Sequence, residues 1–179
     1  MIYSAIYHSP IGEYTIGSDG EHLLGLWKQK QRYFPVGITN EMVPQENLPI
    51  FELTRQWLTS YFAGDRPAIQ SLPLAPSGSN FQQTVWDILC KIPYGSLVTY
   101  GDVAKEVAER LGKKVMSAQA VGGAVGRNPI SIIIPCHRVV GSNGSLTGYG
   151  GGIDAKVWLL KHEKAFTPAL FVPKSGTAL

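Results

Sequence analysis

Apolar and polar residues alternate along the first part of the chain. Three short alternating segments, at residues 2–7, 14–16 and 22–27, predict β-strands. A Ser-Pro-Ile-Gly turn at residues 9–12 and an Asp-Gly pair at residues 19–20 separate these segments, and both are turn signals that favour hairpins. The pattern therefore predicts a small antiparallel sheet.

A helical pattern follows the predicted strands. Apolar residues recur at helical spacing between Phe51 and Phe62, and Gly64 is a typical helix end. The mixed, partly charged segment 28–47, which precedes this helix, is expected to be a surface loop. The first part of the chain is thus predicted to be a sheet with one helix.

A change of composition marks a domain boundary. Residues 67–79 contain three prolines, three serines and one glycine, which is the composition of a linker. We therefore predict two domains, an N-terminal α+β domain at residues 1–75 and a C-terminal domain at residues 76–179. No residue pattern in the first domain suggests chemistry, so its expected role is to support the second.

Helix-capping pairs organise the second domain. Ser79 with Gln82 and Thr99 with Asp102 have the spacing of a capping box, and each precedes an amphipathic segment. Gly112 suits the end of the second of these helices. These signals predict two helices before residue 112.

A third short helix is predicted at residues 117–125, after the basic turn Lys113-Lys114. Two helices around a turn, followed by a strand and a glycine-rich hairpin, are typical of a helix-turn-helix with a wing. The predicted fold class is therefore α+β, with a helical C-terminal domain of the winged helix-turn-helix type.

The third helix has almost no long side chains, although a helix that reads base edges in the major groove normally carries several. Small residues would instead let its backbone approach DNA closely in the minor groove, with the helix N-terminus at the phosphates. Gly122 and Gly123 each cost about 1 kcal/mol of helix stability relative to alanine, so close approach of some partner should explain them. Tight helix–helix packing within the protein is an equally open explanation.

The most apolar segment of the chain, residues 130–134, predicts a short strand that is buried on both sides and ends at Pro135. Cys136 and His137 follow directly. An imidazole beside a thiol favours the thiolate near neutral pH, and the thiolate is a nucleophile. The alternative, that Cys136 is a small core residue, explains neither the proline nor the polar pair His137-Arg138.

Composition excludes several classes of protein. With 44% apolar and 16% charged residues the chain is globular rather than disordered, and it has no apolar stretch or N-terminal pattern typical of a membrane span or a secretion signal. Its two cysteines, Cys90 and Cys136, argue against a disulfide scaffold and indicate a reducing compartment, the cytoplasm or, in a eukaryote, the nucleus. Their spacing predicts no metal site.

Charge is unevenly distributed. Residues 1–79 hold five Lys/Arg and seven Asp/Glu, a net charge of −2, and residues 80–179 hold eleven and six, a net charge of +5. Positive charge therefore collects where the motifs lie, as a phosphate-binding surface requires. By itself this is weak support, because many ordinary solvated surfaces carry such a charge.

Four motifs resemble those of the O6-alkylguanine-DNA alkyltransferases, the suicide DNA-repair proteins. The segments are Ile-Pro-Cys-His-Arg-Val-Val at 134–140, Ala-Val-Gly-Gly-Ala-Val-Gly-Arg-Asn-Pro at 120–129, the glycine-rich loop 144–152 and the helix segment 158–163. The resemblance covers about residues 80–165 and is weak over the first 75 residues.

The resemblance implies an irreversible, single-turnover transfer of an alkyl group from O6 of guanine in DNA to Cys136. It implies a monomer that binds double-stranded DNA through the minor groove, with no membrane association, no cofactor and no metal. Some relatives in this family carry zinc in the N-terminal part, but this chain has no cysteine before Cys90.

The resemblance also implies roles for individual residues. His137 would take the Cys136 proton through a water, Glu163 would orient His137, Tyr100 would rotate the phosphate and protonate the base, and Asn128 would tie the turn before the active site to its backbone. Glu163 also follows Leu159 and Leu160 at helical spacing, so its carboxylate should face inward, where a buried carboxylate needs a partner.

The same resemblance implies the binding residues. The flipped base would be held by Tyr149, Gly150 and Val139, and the DNA by Tyr100, Ser117, Ala118, Gln119, Gly122, Gly123 and Arg127. Gln119 stands where the family has an intercalating arginine, and Gly150 where it often has serine. We therefore expect base flipping to persist with weaker DNA binding, and larger alkyl groups to fit the pocket.

Three other functions remain open at this stage: a sensor that binds alkylated DNA without transfer, a cysteine hydrolase, and a winged-helix regulator without covalent chemistry. The presence of Cys136 argues against the sensor, the missing oxyanion-hole signature against the hydrolase, and the Pro-Cys-His-Arg motif against the regulator. The sequence does not determine the preferred alkyl group, activity on O4-alkylthymine, cooperativity on DNA or a regulatory role of the alkylated form.

Overall fold

The computed structural model describes residues 1–35 and 40–174. The chain forms two compact units: one contains residues 1–77 together with 129–133, and the other contains residues 78–128 and the residues from 134 onward. The short segment 129–133, which the sequence analysis assigns to the second domain, therefore belongs to the first unit.

The first unit is a four-stranded sheet with one helix. Its elements are β1 (Tyr3–Ser9), β2 (Gly12–Ser18), β3 (Leu23–Lys28), β4 (Val43–Pro44) and α1 (Pro49–Phe62). The strand order is β3-β2-β1-β4, with antiparallel pairs between the first three strands along the chain. The three strands and the helix predicted from periodicity are confirmed.

The predicted loop 28–47 is only partly irregular. Within it, β4 pairs in parallel with β1 through two residues, which no hydrophobic pattern indicated. Residues 36–39 of this predicted loop lie outside the described part of the chain. The core of the unit is formed by large side chains that are fully buried, among them Tyr14, Leu26, Phe51 and Leu58.

The second unit is mainly helical. Its elements are α2 (Asn80–Leu89), β5 (Val98–Thr99), α3 (Tyr100–Arg110), α4 (Ala118–Gly126), β6 (Val139–Val140) and α5 (Ile153–His162). Both predicted capping boxes are formed, by Ser79 with Gln82 and by Thr99 with Asp102. Ser117 caps α4 by accepting a hydrogen bond from the Ala120 backbone N–H.

Helices α3 and α4 are the two helices of the predicted helix-turn-helix, and residues 111–117 connect them. Trp86 of α2 donates from its indole N–H to the carbonyl of Ala124 at 2.9 Å, which fixes α4 against α2. Val121 and Val125 are the buried side of α4.

Where the glycine-rich hairpin of a wing is predicted, the chain turns back on itself, and the Gly141 N–H donates to the Ser145 carbonyl at 2.9 Å. Strand β6 pairs in parallel with β5, and the chain after β6 makes a turn in which the Gly144 N–H donates to the Gly141 carbonyl at 2.9 Å. Leu146 then donates to the Phe171 carbonyl, and Phe171 to the Gly144 carbonyl. The segment therefore forms a tight turn after β6 and also pairs with the C-terminal segment, and the winged helix stays a prediction.

The predicted strand at 130–134 is wrong. Ile130 makes a single bridge to Leu26, and residues 131–133 form a turn in which Ile132 has φ 69°. The prediction of burial is confirmed, since residues 130–140 are all buried. The reason for the error is that a short apolar run reports burial and does not specify the backbone conformation.

Candidate active site and DNA-facing helix

Cys136 opens a single 3₁₀ turn, Cys136–Arg138, directly after Pro135. The Cys136 N–H donates to the Ile134 carbonyl at 2.8 Å, and the Arg138 N–H to the Pro135 carbonyl at 3.1 Å. All three side chains of the turn are buried, and that of His137 is fully enclosed. The proline thus sets a tight turn that holds the thiol inside the protein.

Asn128 links helix α4 to this turn. Its amide Nδ2 donates to the Ile134 carbonyl at 2.9 Å and lies 3.2 Å from Cys136 Sγ, toward which it also donates. Burial raises the pKa of the Cys136 thiol, while the Asn128 amide, the charge of Lys156 and two backbone N–H groups act in the opposite direction. The thiol is therefore protonated at rest and has donors in place for a thiolate.

Glu163 is the centre of a buried polar cluster. It caps the end of α5, and its carboxylate accepts hydrogen bonds from His137 Nε2 at 2.7 Å, Arg138 Nε at 2.8 Å, Arg138 Nη2 at 2.9 Å and the Gly95 N–H at 3.2 Å. The hydrogen bonds from His137 and Arg138, together with the charge of Arg138, outweigh burial and hold the pKa of Glu163 far below its usual range. The expected His137–Glu163 contact is present, and Arg138 adds a second cation to the same carboxylate.

The contact with Glu163 fixes the tautomer of His137. An ionised carboxylate only accepts, so Nε2 carries the proton and Nδ1 keeps its lone pair. Nδ1 is buried and has no hydrogen-bond partner among the described residues. Burial, assisted by the charges of Arg138 and Lys156, lowers the pKa of His137 against the opposing effect of Glu163, so the imidazole is neutral and Nδ1 can accept a proton.

Lys156 is a functional candidate that the sequence analysis missed. Its ammonium is fully buried on α5 and donates to the Val139 carbonyl at 2.6 Å and the Thr147 carbonyl at 3.0 Å. Burial lowers its pKa to about 8. The available signal was its position three residues before Leu159 on the apolar side of α5, where a lysine is unexpected.

Tyr100 and the glycine-rich loop are in contact. Tyr100, the first residue of α3, donates from its hydroxyl to the Thr147 carbonyl at 2.7 Å, and burial raises the pKa of this phenol. A Cβ at Gly148 would lie 2.9 Å from the Tyr100 hydroxyl, and one at Gly151 would lie 2.9 Å from the Tyr149 ring. Both glycines are therefore needed for the loop to fit around the two tyrosines.

Among the predicted site residues, Val139 and Tyr100 are linked through hydrogen bonds. Lys156 and Thr147 connect the Val139 carbonyl with the Tyr100 hydroxyl. Tyr149 is 8% exposed, and Gly150 beside it is half-buried.

Six of the seven predicted DNA-contacting residues lie in α4 or cap its ends, and the seventh, Tyr100, begins α3. Ser117, Ala118, Gln119 and Arg127 are exposed, and Arg127 Nη1 donates to the Gly123 carbonyl at 3.3 Å. A Cβ added at Gly122 would come no closer than 3.8 Å to another residue, and one at Gly123 no closer than 3.4 Å. Packing within the protein therefore does not require these glycines, which favours close approach of an external partner.

Two consecutive capped helices, together with a buried cysteine beside a histidine–glutamate pair, are the arrangement expected of a DNA-binding protein with a thiol nucleophile. The sequence profile described as "6-O-methylguanine DNA methyltransferase, DNA binding domain" matches residues 80–165, and the profile of the "ribonuclease-like domain" of the same proteins matches residues 2–76. The chain belongs to the 6-O-methylguanine DNA methyltransferase family, and the resemblance found in its motifs is confirmed.

Similar proteins include two bacterial relatives named methylated-DNA–protein-cysteine methyltransferase. The relative from Haemophilus influenzae is 42% identical over 163 residues, which cover 91% of this chain and 87% of that protein. The relative from Mycobacterium tuberculosis strain H37Rv is 41% identical over 169 residues, covering 94% and 96%.

Solved structures of similar proteins have the same fold. The crystal structure of the M. tuberculosis O6-methylguanine methyltransferase is 40% identical with a TM-score of 0.78, and the match covers 94% of this chain and 96% of that chain. M. tuberculosis OGT in complex with DNA is 38% identical with a TM-score of 0.76, and the match covers 91% and 93%.

None of the described helices has the length and apolar character needed to cross a membrane. Within residues 1–35 and 40–174, no group of three or more His, Cys, Asp or Glu side chains is placed to hold a metal ion.

Proposed function

We propose that this protein repairs DNA by moving an alkyl group, such as methyl, from O6 of guanine to its own Cys136, once per molecule. The observation that carries the proposal is the buried Cys136 thiol, held by Asn128 beside a neutral His137 whose Nδ1 is available as a base. The naming of the curated relatives as methylated-DNA–protein-cysteine methyltransferases supports the same reaction.

The proposed reaction is an in-line displacement. The Cys136 proton passes through a water to His137 Nδ1, and the resulting imidazolium is stabilised by the Glu163 carboxylate. The thiolate attacks the alkyl carbon, so that an S–C bond forms as the C–O6 bond breaks. The guanine leaves with the electron pair and takes up a proton, and the thioether remains on the protein because water does not cleave it.

Tyr100 supplies that proton or a hydrogen bond to the base in this mechanism. Since burial raises its pKa, the phenol stays protonated and acts as a donor. In the free protein its hydroxyl donates to the Thr147 carbonyl. On DNA this hydrogen bond would be exchanged for one to the base or to the adjacent phosphate.

The flipped guanine would lie between the Tyr149 ring and the backbone of Gly150 and Val139. The alkylated base must leave the helical stack to reach a buried thiol, which costs a few kcal/mol. Helix α4 would enter the minor groove with its small-residue side, Ser117 and Ala118 at the phosphates and Gln119 in the space left by the base. Arg127, at the end of α4, would contact the backbone.

We further propose that a single protein molecule acts on each lesion. The acceptor must be a free thiol, which places the reaction in a reducing compartment such as the cytoplasm. Position 150 is glycine rather than serine. Because glycine has no side chain, the pocket should also accept alkyl groups larger than methyl.

The decisive experiment is mass spectrometry of the intact protein and its peptides after incubation with a duplex that contains one O6-methylguanine. We expect one methyl group on the Cys136 peptide, saturating at one per molecule, and none in Cys136→Ser. An unmodified wild-type protein that still retains the duplex would point to a sensor. An unmodified protein that ignores the lesion would overturn the proposal.

A further inference from the structure

Positive charge in the first part of the chain is concentrated at one place. Residues 1–79 hold five Lys/Arg, and three of them, Lys28, Lys30 and Arg32, stand at alternate positions from the last residue of β3 onward. The same part of the chain holds seven Asp/Glu, but none occurs at positions 22–40. Three cations therefore meet on a part of the chain whose net charge is −2.

These cations are open to a partner. Lys30 and Arg32 are exposed, and Lys28 is half-buried. Within the described part of the chain, no carboxylate lies within ion-pair distance of Lys28 or Lys30. The charges of the two lysines are thus not neutralised within the protein, as a binding surface for a polyanion requires.

An aromatic ring lies beside the charges. Tyr33 is 46% exposed, and the guanidinium carbon of Arg32 lies 5.3 Å from the centre of its ring. Sites for single-stranded nucleic acid combine cations that bind the phosphates with aromatic rings that stack on unpaired bases. Because the bases of a duplex are already stacked on one another, the exposed ring favours a single strand.

Glutamine side chains hold the turn that presents these residues. The Lys28 N–H donates to Gln31 Oε1 at 2.8 Å, and the Gln31 N–H donates to the Lys28 carbonyl at 3.1 Å. Gln29 donates from Nε2 to the Thr15 hydroxyl at 3.2 Å, which ties the turn to β2. The glutamines therefore build the turn, whereas the cations between and after them stay exposed.

Two residues of the turn have a backbone conformation that side chains disfavour. Lys30 has φ 62° and Tyr33 has φ 65°, both in the left-handed region that glycine adopts readily. A glycine at either position would relieve this strain, so folding does not explain why a lysine and a tyrosine stand there. Residues held in such conformations cluster at binding sites.

We propose that Lys28, Lys30, Arg32 and Tyr33 form a second DNA-binding surface, which holds a single-stranded segment of DNA. The cations bind successive phosphates, and the Tyr33 ring stacks on a base. This inference goes beyond the proposed alkyl transfer and does not rest on it, because the surface belongs to the first unit and binds undamaged DNA.

The test compares two variants that each remove two positive charges from the first unit. The surface variant combines Lys30→Gln with Arg32→Gln, and the control variant combines Arg55→Gln with Arg66→Gln. Binding of an undamaged oligothymidine strand and of an undamaged duplex is titrated at several salt concentrations. The thermal unfolding midpoint is measured on the same samples.

For the surface variant we expect the affinity for the single strand to fall by about tenfold at about 0.1 M salt. The slope of log affinity against log salt should become shallower by about 0.7 for each cation removed. Affinity for the duplex should change by less than about twofold, and the control variant should bind both DNAs as the wild-type protein does.

Two single substitutions separate stacking from charge. Tyr33→Ala should weaken binding of the single strand by about fivefold or more and leave duplex binding unchanged. Lys30→Gly should weaken binding of the single strand and raise the unfolding midpoint, because it relieves the left-handed conformation. Lys30→Gly carries the comparison if the surface variant does not fold.

Photocrosslinking locates the bound strand directly. A single strand that contains bromodeoxyuridine is irradiated with the wild-type protein, and the crosslinked peptides are mapped by mass spectrometry. We expect a crosslink in the peptide that contains Tyr33.

Equal affinity of the surface and control variants for the single strand would overturn the proposal, as would crosslinks confined to the second unit. Loss of duplex binding alone would show that the turn meets paired DNA and would overturn the assignment to a single strand. None of these results depends on methyl transfer to Cys136, which is measured with the lesion-containing duplex.

Discussion

The second unit contains two regions of opposite character. Around Glu163, four donors converge on one carboxylate that is closed to solvent. Along the outer side of α4, from Ser117 to Gly123, the side chains are small and most are exposed. The polar groups of the interior region are paired with one another, whereas the helix surface is open to a partner.

This difference separates two requirements of the proposed reaction. A proton has to move from a buried thiol to a buried imidazole, which requires fixed distances and a fixed tautomer. Binding to DNA requires instead that a backbone come close to phosphates and sugars, which large side chains would prevent. Substitutions in the two regions should therefore have different consequences.

The largest effect is expected for Glu163→Gln. The amide cannot balance the charge of Arg138 and offers its own donors to His137, so the free energy of unfolding should fall by about 3–5 kcal/mol. Methyl transfer should be lost as well. Chemical denaturation measures the stability, and Glu109→Gln, at an exposed position of α3, should change it by less than about 0.5 kcal/mol. A loss in Glu163→Gln no larger than in this control would show that the cluster does not hold the fold.

The buried histidine should make stability depend on pH. In the unfolded chain the imidazole titrates at about pH 6.5, and burial lowers the pKa of His137 in the folded protein. Between these two values the unfolded state binds more protons, so stability falls as the pH drops below about 6.5, by up to about 1.4 kcal/mol per pH unit. Urea unfolding between about pH 5 and 7 gives the slope.

The slope should be shallower in His137→Asn than in the wild-type protein. His8→Gln, which replaces a histidine whose side chain is 79% exposed, should leave it unchanged. Equal slopes in all three proteins would contradict a neutral, buried His137.

On the α4 surface, Gly123→Ala should increase the free energy of unfolding and weaken DNA binding. Gly123→Ala removes a helix-destabilising glycine without a clash, so stability should rise by about 0.5–1 kcal/mol. The added methyl group would hold the helix away from the duplex and weaken binding by several-fold. Thr59→Ala, at an exposed position of α1, also improves helix propensity and should leave binding unaltered. If Gly123→Ala binds DNA as the wild type does, α4 does not approach the duplex closely.

The smallest effect is expected for Gln119→Arg. One added cation at the duplex should steepen the dependence of log affinity on log salt by about 0.9, or roughly threefold in affinity over a fourfold change in salt. Gln56→Arg adds the same charge to α1 and serves as the control. DNA-binding titrations at several salt concentrations measure this dependence, and an unchanged slope would mean that residue 119 stays outside the duplex.

Much of the fold follows from local signals. The alternating segments and turns of the first unit, the capping boxes of α2 and α3, and the cap of α4 at Ser117 depend on residues close together in sequence. Such signals act within a few residues, so they specify strands, turns and helix ends independently of long-range contacts. The strand wrongly predicted at 130–134 is a segment whose conformation depends on a distant partner, the Leu26 backbone.

The sequence by itself determined the position of the candidate nucleophile, its neighbouring histidine and the small-residue character of α4, because these are properties of adjacent residues. Only the tertiary structure decided that Arg138 shares Glu163 with His137 across about 25 residues of chain, and that Lys156 is turned inward to the Val139 and Thr147 carbonyls. The physical reason is that apolar periodicity specifies which side of an element is buried. It does not specify which distant polar groups will meet there, since that depends on how the elements pack.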